Sequence, residues 1–298
     1  MKICDKLRKA EAVGGEWRGV LYPARIPSFH RVSPPKTAAA WVRWFWIPEW
    51  HLAPGRVSRQ EIIAFPACNL AVESDLVGLA GPTTRRSSRD LTGRGWAVGA
   101  LLRPAAVPHL IDDPVAIRDA YLTLDLPDLH AAVTAAMTSA EEGAVRRSRA
   151  VDVFAHWLDQ SLPTPGGEAL LANAMADLID GDPSVLRVEE AAAMLGVSVR
   201  TLQRLARQYV GVPPAAMIRR RRLQEAADRL RREPGVDIAA VANDLGYADH
   251  AHLTTDFRNV LNFTPSAYRG RAPIDSGVEE TGDRADAVSD GGQTGPHR

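Results

Sequence analysis

A dense group of arginines gives the C-terminal third of the chain its clearest chemistry. Between Val199 and Arg232 the sequence has ten arginines and only two acidic residues, Glu225 and Asp228. A guanidinium group offers paired N–H donors that match phosphate oxygens and the edge of guanine. The pattern predicts a nucleic-acid surface, although the run 219–222 is also explained by a solvated helix face. The arginines are Arg200, Arg204, Arg207, Arg219, Arg220, Arg221, Arg222, Arg229, Arg231 and Arg232.

An internal repeat surrounds these arginines. The first copy runs from Val188 to Pro214 and the second from Ile238 to Pro265. The second copy has one extra residue in its turn, so the offset between matching positions changes from 50 before the turn to 51 after it. We call the copies the first head (188–214) and the second head (238–265). The matches before the insertion are Val188, Ala192, Leu195 and Gly196 with Ile238, Ala242, Leu245 and Gly246.

Each head has the parts of a helix-turn-helix. Gly196 or Gly246 ends the first helix, because glycine adopts left-handed dihedrals without a Cβ clash. Ser198 and Asp249 are placed to cap the second helix, whose apolar residues recur at helical spacing. A plain helical bundle with a chance turn explains one copy more readily than two. The second helix of such a motif lies in the DNA major groove.

The segment from about Leu186 to Arg269 resembles the AraC/XylS family of transcription regulators. The resemblance rests on LGVSVRTLQRLARQYVGVPP, the bridging segment MIRRRRLQEAADRLRR, and IAAVANDLGYADHAHLTTDFRNVLNFTPSAYR. It implies seven helices, with two recognition helices about one DNA turn, roughly 34 Å, apart. The expected DNA-binding residues are Arg200, Thr201, Gln203, Arg204, Arg207, Arg219, Arg222, His250, Ala251, His252, Thr254, Thr255 and Arg258.

The two heads differ in chemical content. The first carries arginine and glutamine, which make paired hydrogen bonds with guanine and adenine edges. The second has neither on its recognition face, and Ala251 stands where members of the family often have a larger polar side chain. We therefore expect the first head to read most bases, and the second to contact phosphates and thymine methyl groups. His250 and His252 are alternatively capping or backbone-bonding residues.

Composition changes along the chain predict its organisation. We expect an α+β front domain that is rich in strands and becomes helical over residues 114–160. An all-α DNA-binding domain is expected to follow it. The front domain resembles a poorly characterised N-terminal domain found in some of these regulators, which implies effector binding or dimerisation. The predicted divisions are a polar leader (1–18), the front domain (19–161), a linker (162–167), the DNA-binding domain (168–271) and a disordered tail (272–298).

The front domain contains a cluster of tryptophans. Stacked aromatic residues can line an effector pocket, and they are also common core residues. The members are Trp41, Trp44, Trp46 and Trp50. His30, Glu49, His51 and His109 lack the spacing of metal ligands, so no metal is expected. Cys68 is either a redox sensor or an inert core thiol.

Bulk composition restricts the other function classes. The 298 residues carry no net charge and two cysteines, and no apolar run is long enough to span a membrane. No catalytic motif and no cofactor signature occur, and a repair methyltransferase with such a DNA-binding domain would need more cysteines. The expected partners are double-stranded DNA, a small-molecule effector, RNA polymerase or a second copy of the chain, in the cytoplasm. An adaptor that takes no small-molecule input is the main alternative.

Overall fold

The computed structural model describes residues 28–62 and 65–271. The predicted leader and tail therefore lie outside the described residues. The strands are β1 Ser28–Val32, β2 Val42–His51, β3 Val57–Ile62, β4 Asn69–Glu73, β5 Val77–Ala80, β6 Ser87–Thr92, β7 Arg94–Leu102 and β8 Tyr121–Leu124. The helices are α1 Pro127–Thr138, α2 Gly143–Ser161, α3 Gly167–Gly181, α4 Val188–Met194, α5 Val199–Tyr209, α6 Pro214–Arg232, α7 Ile238–Asp244, α8 His250–Leu261 and α9 Pro265–Arg271.

The front domain is built on a six-stranded antiparallel sheet in the order β1-β2-β7-β4-β5-β8, beside a two-stranded sheet of β3 and β6. Side chains alternate between the faces of a strand, so Phe45 and Ile47 of β2 share one face. That face packs against α2, where the Phe45 and Phe154 rings lie 5.4 Å apart. The predicted α+β class, followed by an all-helical region, is confirmed.

The prediction of helix over 114–160 is wrong for its first part. Helix α1 begins only at Pro127, and Tyr121–Leu124 instead form β8, the edge strand that pairs with β5. The short run alternates between exposed and half-buried side chains, which is typical of an edge strand. The preceding turn is held by Asp113, whose carboxylate accepts a hydrogen bond from the Val115 backbone N–H at 2.9 Å.

Both heads contain the local signals read from the sequence. Ser198 accepts a hydrogen bond from the Thr201 N–H, and Asp249 accepts one from the His252 N–H. Gly196 and Gly246 have φ values of 67° and 71°, the left-handed region in which a side chain would be strained. The helix-turn-helix prediction is therefore confirmed in both copies.

The buried apolar residues of the described part form two clusters, and the boundary between them falls inside α6. One cluster runs from the front domain through α3, α4 and α5 and ends at Met217 and Ile218. The other begins at Leu223 and contains the second head and α9. The first head therefore shares a core with the front domain, whereas the second head has a core of its own.

Candidate DNA-binding interface

Helix α5 of the first head separates a buried face from an exposed polar face. Leu202 and Leu205 are fully buried. Thr201 is half-buried, and its hydroxyl takes part in the cap with Ser198. The structure thus brings the predicted base-reading residues of this head to one surface. The exposed members are Arg200, Gln203, Arg204 and Arg207.

Helix α8 of the second head has the same division with different chemistry. Leu253 and Phe257 are fully buried, and the Phe257 ring lies against the rings of Phe263 and Tyr268. The backbone N–H of His252 is used by the Asp249 cap. Thr254 is half-buried. The exposed predicted residues are His250, Ala251, His252, Thr255 and Arg258.

The arginine run 219–222 in α6 is only partly available to DNA. Arg220 is 4% exposed and donates to the Thr83 carbonyl oxygen at 2.9 Å. Burial lowers the pKa of this guanidinium to about 10. Arg221 is 2% exposed and donates to the carbonyl oxygens of Asp182 and Val185. These two arginines therefore hold the molecule together at the boundary between the two cores.

The other arginines of α6 have partners that sequence spacing does not reveal. Arg219, which is exposed, lies 3.7 Å from the Asp256 carboxylate of α8. Arg222 lies 3.8 Å above the centre of the Tyr247 ring, a cation–π contact. Arg229 pairs with Asp244 at 2.9 Å. The local positive charge is thus partly neutralised by acids from neighbouring helices, and Arg219 keeps the most accessible position of the four residues 219–222.

Two family models match the chain. A family described as a helix-turn-helix domain matches residues 191–271, which cover α6, most of the first head and the whole of the second. A family described only as a domain of unknown function (DUF6597) matches residues 30–122, the strand-rich part of the front domain. The two matches fall on the two structural regions and leave α1, α2 and α3 between them.

Curated relatives match stretches of the chain that differ in length. A "Putative AraC-like transcription regulator" of Streptomyces antibioticus is 31% identical over 121 residues, 41% of this chain and 38% of the relative. Over its DNA-binding region the chain is similar to regulators of the AraC/XylS family. An "HTH-type transcriptional activator RhaS" of Pectobacterium atrosepticum is 32% identical over 81 residues, 27% of this chain and 29% of the relative.

A third relative matches a longer stretch of the chain. An "Uncharacterized HTH-type transcriptional regulator" of Haemophilus influenzae is 23% identical over 176 residues, 51% of this chain. The chain spans between 29% and 59% of the length of the three relatives that it matches. Among solved structures, ToxT from Vibrio cholerae is 12% identical with a TM-score of 0.40, over 83% of this chain and 98% of that one.

Several polar contacts join the front domain to α3, the helix that precedes the first head. Asn173 of α3 is 6% exposed, donates to the Ala40 carbonyl oxygen at 2.8 Å and accepts from the Ala105 N–H at 2.9 Å. One turn later Asp177 pairs with Arg103 at 2.5 Å. Asp180 continues the same face of α3 and pairs with Arg43. These contacts fix α3 against the front domain.

Further contacts join the front domain to the ends of both recognition helices. Arg118 donates two hydrogen bonds, at 2.8 and 3.3 Å, to the carbonyl oxygen of Gly211, just after α5. The Arg86 N–H donates to the Val260 carbonyl oxygen at 2.9 Å, near the end of α8. The Arg86 guanidinium also lies 5.7 Å from the Phe263 ring centre. The front domain therefore contacts both heads directly.

The structure separates the predicted tryptophan cluster. Trp41 is 3% exposed and packs in the main core, edge-on to His109 at 6.0 Å. Trp44, Trp46 and Trp50 lie on the opposite face of β2 from Phe45. Trp46 covers Gly99 and donates from its indole N–H to Asn69 Oδ1 at 3.0 Å. Three of the four thus share a face.

The three tryptophans on this face are fixed by neighbouring groups. Trp50 covers Gly95 and donates to the Thr92 carbonyl oxygen at 3.0 Å. Trp44 lies 4.8 Å from the Phe65 ring and 4.4 Å from the Arg31 guanidinium. The small residues Gly95 and Gly99 on β7 leave room for the indole rings. Trp44, Trp46 and Trp50 therefore form an ordered aromatic surface on the front domain.

Two other candidates of the front domain, Cys68 and Glu49, are buried or held in ion pairs. Cys68 is 1% exposed, and burial raises the pKa of its thiol to about 12, so it stays protonated at neutral pH. Glu49 is held by Arg146 and Arg147 of α2. In residues 28–62 and 65–271 no three histidine, cysteine or acidic side chains come together as metal ligands. No helix of that part is long and apolar enough to cross a membrane.

Proposed function

We propose that the chain regulates transcription by reading specific DNA sequences with both heads, one in each of two neighbouring major grooves. The observation that carries this proposal is the pair of capped recognition helices, α5 and α8, which expose polar faces and belong to heads that helix α6 connects. Half-sites one helical turn apart match this architecture. The helix-turn-helix family match supports the DNA-binding part of the proposal.

The proposed division of labour follows from the exposed side chains. Arg200, Gln203 and Arg204 can make paired hydrogen bonds with base edges, so the first head reads sequence. In the second head, Thr254 and Thr255 supply hydroxyl contacts to phosphate, and Ala251 supplies an apolar contact for a thymine methyl group. Arg207, Arg219, Arg222 and Arg258 serve the phosphate backbone, together with Thr201, His250 and His252.

Control through the front domain is the second part of the proposal. The front domain touches Gly211 at the end of α5 and Val260 near the end of α8. A change in the front domain can therefore alter the relative orientation of the heads or present a surface to RNA polymerase. An effector shifts this equilibrium only if it binds the two states with different affinity.

Two regions of the front domain are candidates for receiving the effector. One is the aromatic face of Trp44, Trp46 and Trp50. The other is a narrow cleft between the front domain and α3, whose internal space of about 40 Å³ holds about three water molecules. A larger ligand would have to move α3 away from Arg43 and Arg103, which would disturb the contacts of the first head. Dimerisation through the front domain is the alternative input.

We propose that the chain activates transcription, and the names of its relatives support this direction. The relatives called RhaS are described as transcriptional activators, which favours activation through contact with RNA polymerase. The alternative is an adaptor with no small-molecule input, and a repair methyltransferase-like enzyme is less well supported because Cys68 is buried and protonated. A thermal-shift screen separates effector control from the adaptor, because a ligand that binds the folded state raises Tm.

Selection of random duplexes by the full chain, followed by footprinting, tests the DNA-reading proposal. We expect an enriched site with two elements about 10 base pairs apart. A single short element would show that the second head acts only as an electrostatic clamp. Weak binding without enrichment, which falls steeply with salt, would contradict specific reading and favour the adaptor.

A further inference from the structure

The exposed Arg204 of the first recognition helix is held by a residue outside the helix-turn-helix. Glu168, in the first turn of α3, accepts hydrogen bonds from Arg204 Nη1 at 3.1 Å and Nη2 at 2.7 Å. The Tyr209 hydroxyl donates to the same carboxylate at 3.3 Å. Gln208 Oε1 accepts from Arg204 Nη1 at 3.2 Å. A long, half-exposed side chain is thus fixed by two neighbours.

The contacts leave one edge of the guanidinium open. Arginine has five N–H donors in a rigid plane. Glu168 takes the edge between Nη1 and Nη2, and Gln208 takes the remaining donor of Nη1. Nε makes no hydrogen bond within the part of the chain that the structure describes. The edge of Nε and Nη2 therefore keeps two parallel N–H groups, the arrangement that pairs with guanine O6 and N7.

Neighbouring side chains on the same face are not held in this way. Arg200, Gln203 and Arg207 form no ion pair or side-chain hydrogen bond with any other described residue. A free arginine loses rotamer freedom when DNA fixes it, whereas Arg204 has lost much of that freedom before DNA arrives. The pairing also lowers the pKa of Glu168, so both partners are charged at neutral pH.

We propose that Glu168 is a specificity-determining positioning residue, which presents the Nε–Nη2 edge of Arg204 to one guanine of the DNA site. Glu168 itself touches no base in this arrangement. The inference rests on the proposed function, because it requires that the first head reads DNA. Since α3 is also fixed to the front domain through Asn173 and Asp177, a shift of α3 would carry Glu168 with it.

Discrimination between bases tests this inference in the full chain. The probes are the duplex selected by the wild-type chain and every single-base variant of it. Glu168→Gln should lose about tenfold in discrimination at one guanine, roughly 1.4 kcal/mol, at the position where Arg204→Ala removes discrimination. Glu189→Gln is the matched control, because it removes the same charge from the exposed first turn of α4. The control should keep discrimination at every position.

Each outcome decides between different conclusions. If Glu168→Gln discriminates as well as Glu189→Gln, the positioning inference is wrong and DNA reading by the first head stands. If it binds all duplexes more tightly with unchanged discrimination, Glu168 masks Arg204, which also overturns the inference. A wild-type chain that discriminates at no position would overturn the proposed function itself. Tyr209→Phe, which removes one hydrogen bond to the carboxylate, should give a smaller loss at the same guanine.

Discussion

The two heads have the same motif but are attached to the rest of the molecule in different ways. Leu202 and Leu205 of the first head belong to a core that continues into the front domain. Leu253 and Phe257 of the second head belong to a core that contains only residues from Leu223 onwards among the described part of the chain. The position of the first head is therefore set by apolar packing, which changes only at considerable cost.

The second head is attached to the front domain by fewer and more polar contacts. The core of the second head begins at Leu223, just after the arginine run of α6. The Arg86 backbone N–H bonds to the Val260 carbonyl oxygen of the head itself, and Arg220 of α6, the helix that leads to the head, bonds to the Thr83 carbonyl oxygen. Polar contacts of this kind contribute about 0.5–3 kcal/mol each, less than a buried core. We therefore propose that the second head, and not the first, is the part that moves when the front domain changes.

The largest expected effect is the loss of stability when a large-to-small substitution is made in one of the two cores. Phe257→Ala should destabilise the second head by about 3–5 kcal/mol, because its ring is fully buried among Phe263 and Tyr268. Leu205→Ala should cost about 2–5 kcal/mol and should loosen the front domain as well. Hydrogen exchange followed segment by segment measures both effects.

Cys68 provides a second readout of the same comparison. Its thiol is buried with a pKa of about 12, so it should react with a thiol reagent only when the shared core opens. In a Cys4→Ser background, Leu205→Ala should speed the reaction and Phe257→Ala should not. Equal acceleration by both variants would contradict the separation of the two cores.

A smaller effect is expected at the contact between the first head and the front domain. Gly211 has a φ of 87°, and an added Cβ would lie 2.5 Å from the Pro114 carbonyl oxygen. Gly211→Ala should cost about 2–4 kcal/mol, from left-handed strain and the clash together. Gly196→Ala is the control, because its φ is 67° with no atom within 4 Å of the added Cβ. Urea unfolding should show a smaller loss of about 1–2 kcal/mol for the control.

Local features of the heads were predictable, because they depend on residues close together in the sequence. The caps of Ser198 and Asp249 and the positive φ of Gly196 and Gly246 are examples. The exposed face of α5 also follows from helical spacing. The DNA-binding roles of these residues stay predictions.

Long-range partners were not predictable from spacing. The burial of Arg220 depends on the Thr83 carbonyl oxygen, 137 residues away, so a count of local charge assigns this arginine to the surface. Glu168 meets Arg204 from 36 residues away. The separation of Trp41 from Trp44 depends on the turn that precedes β2, because Trp41 lies in that turn and not in the strand.

Substitutions on the two recognition helices should affect discrimination between bases differently. Arg200→Ala should cost about 1–3 kcal/mol in binding and relax specificity at one position, if its exposed guanidinium contacts guanine. His252→Ala should weaken binding to all sequences by about the same small factor. Fluorescence anisotropy with the selected duplex and its single-base variants measures both. Arg56→Ala, an exposed arginine in the turn before β3, controls for loss of charge; equal specificity loss in the two heads would contradict the division of labour.

The smallest effect is expected at the contact that we consider adjustable. Arg86→Ala removes the guanidinium over Phe263 but keeps the backbone hydrogen bond to Val260, so stability should fall by only about 0.5–1 kcal/mol. Because the second head is then held less firmly, the variant should tolerate sites whose two elements are separated by one or two base pairs more or fewer. Affinities for a series of duplexes with altered spacing measure this tolerance. Arg85→Ala, the exposed neighbour, should keep the wild-type dependence on spacing. If Arg86→Ala keeps it too, the contact of the Arg86 guanidinium with Phe263 does not help to fix the distance between the heads.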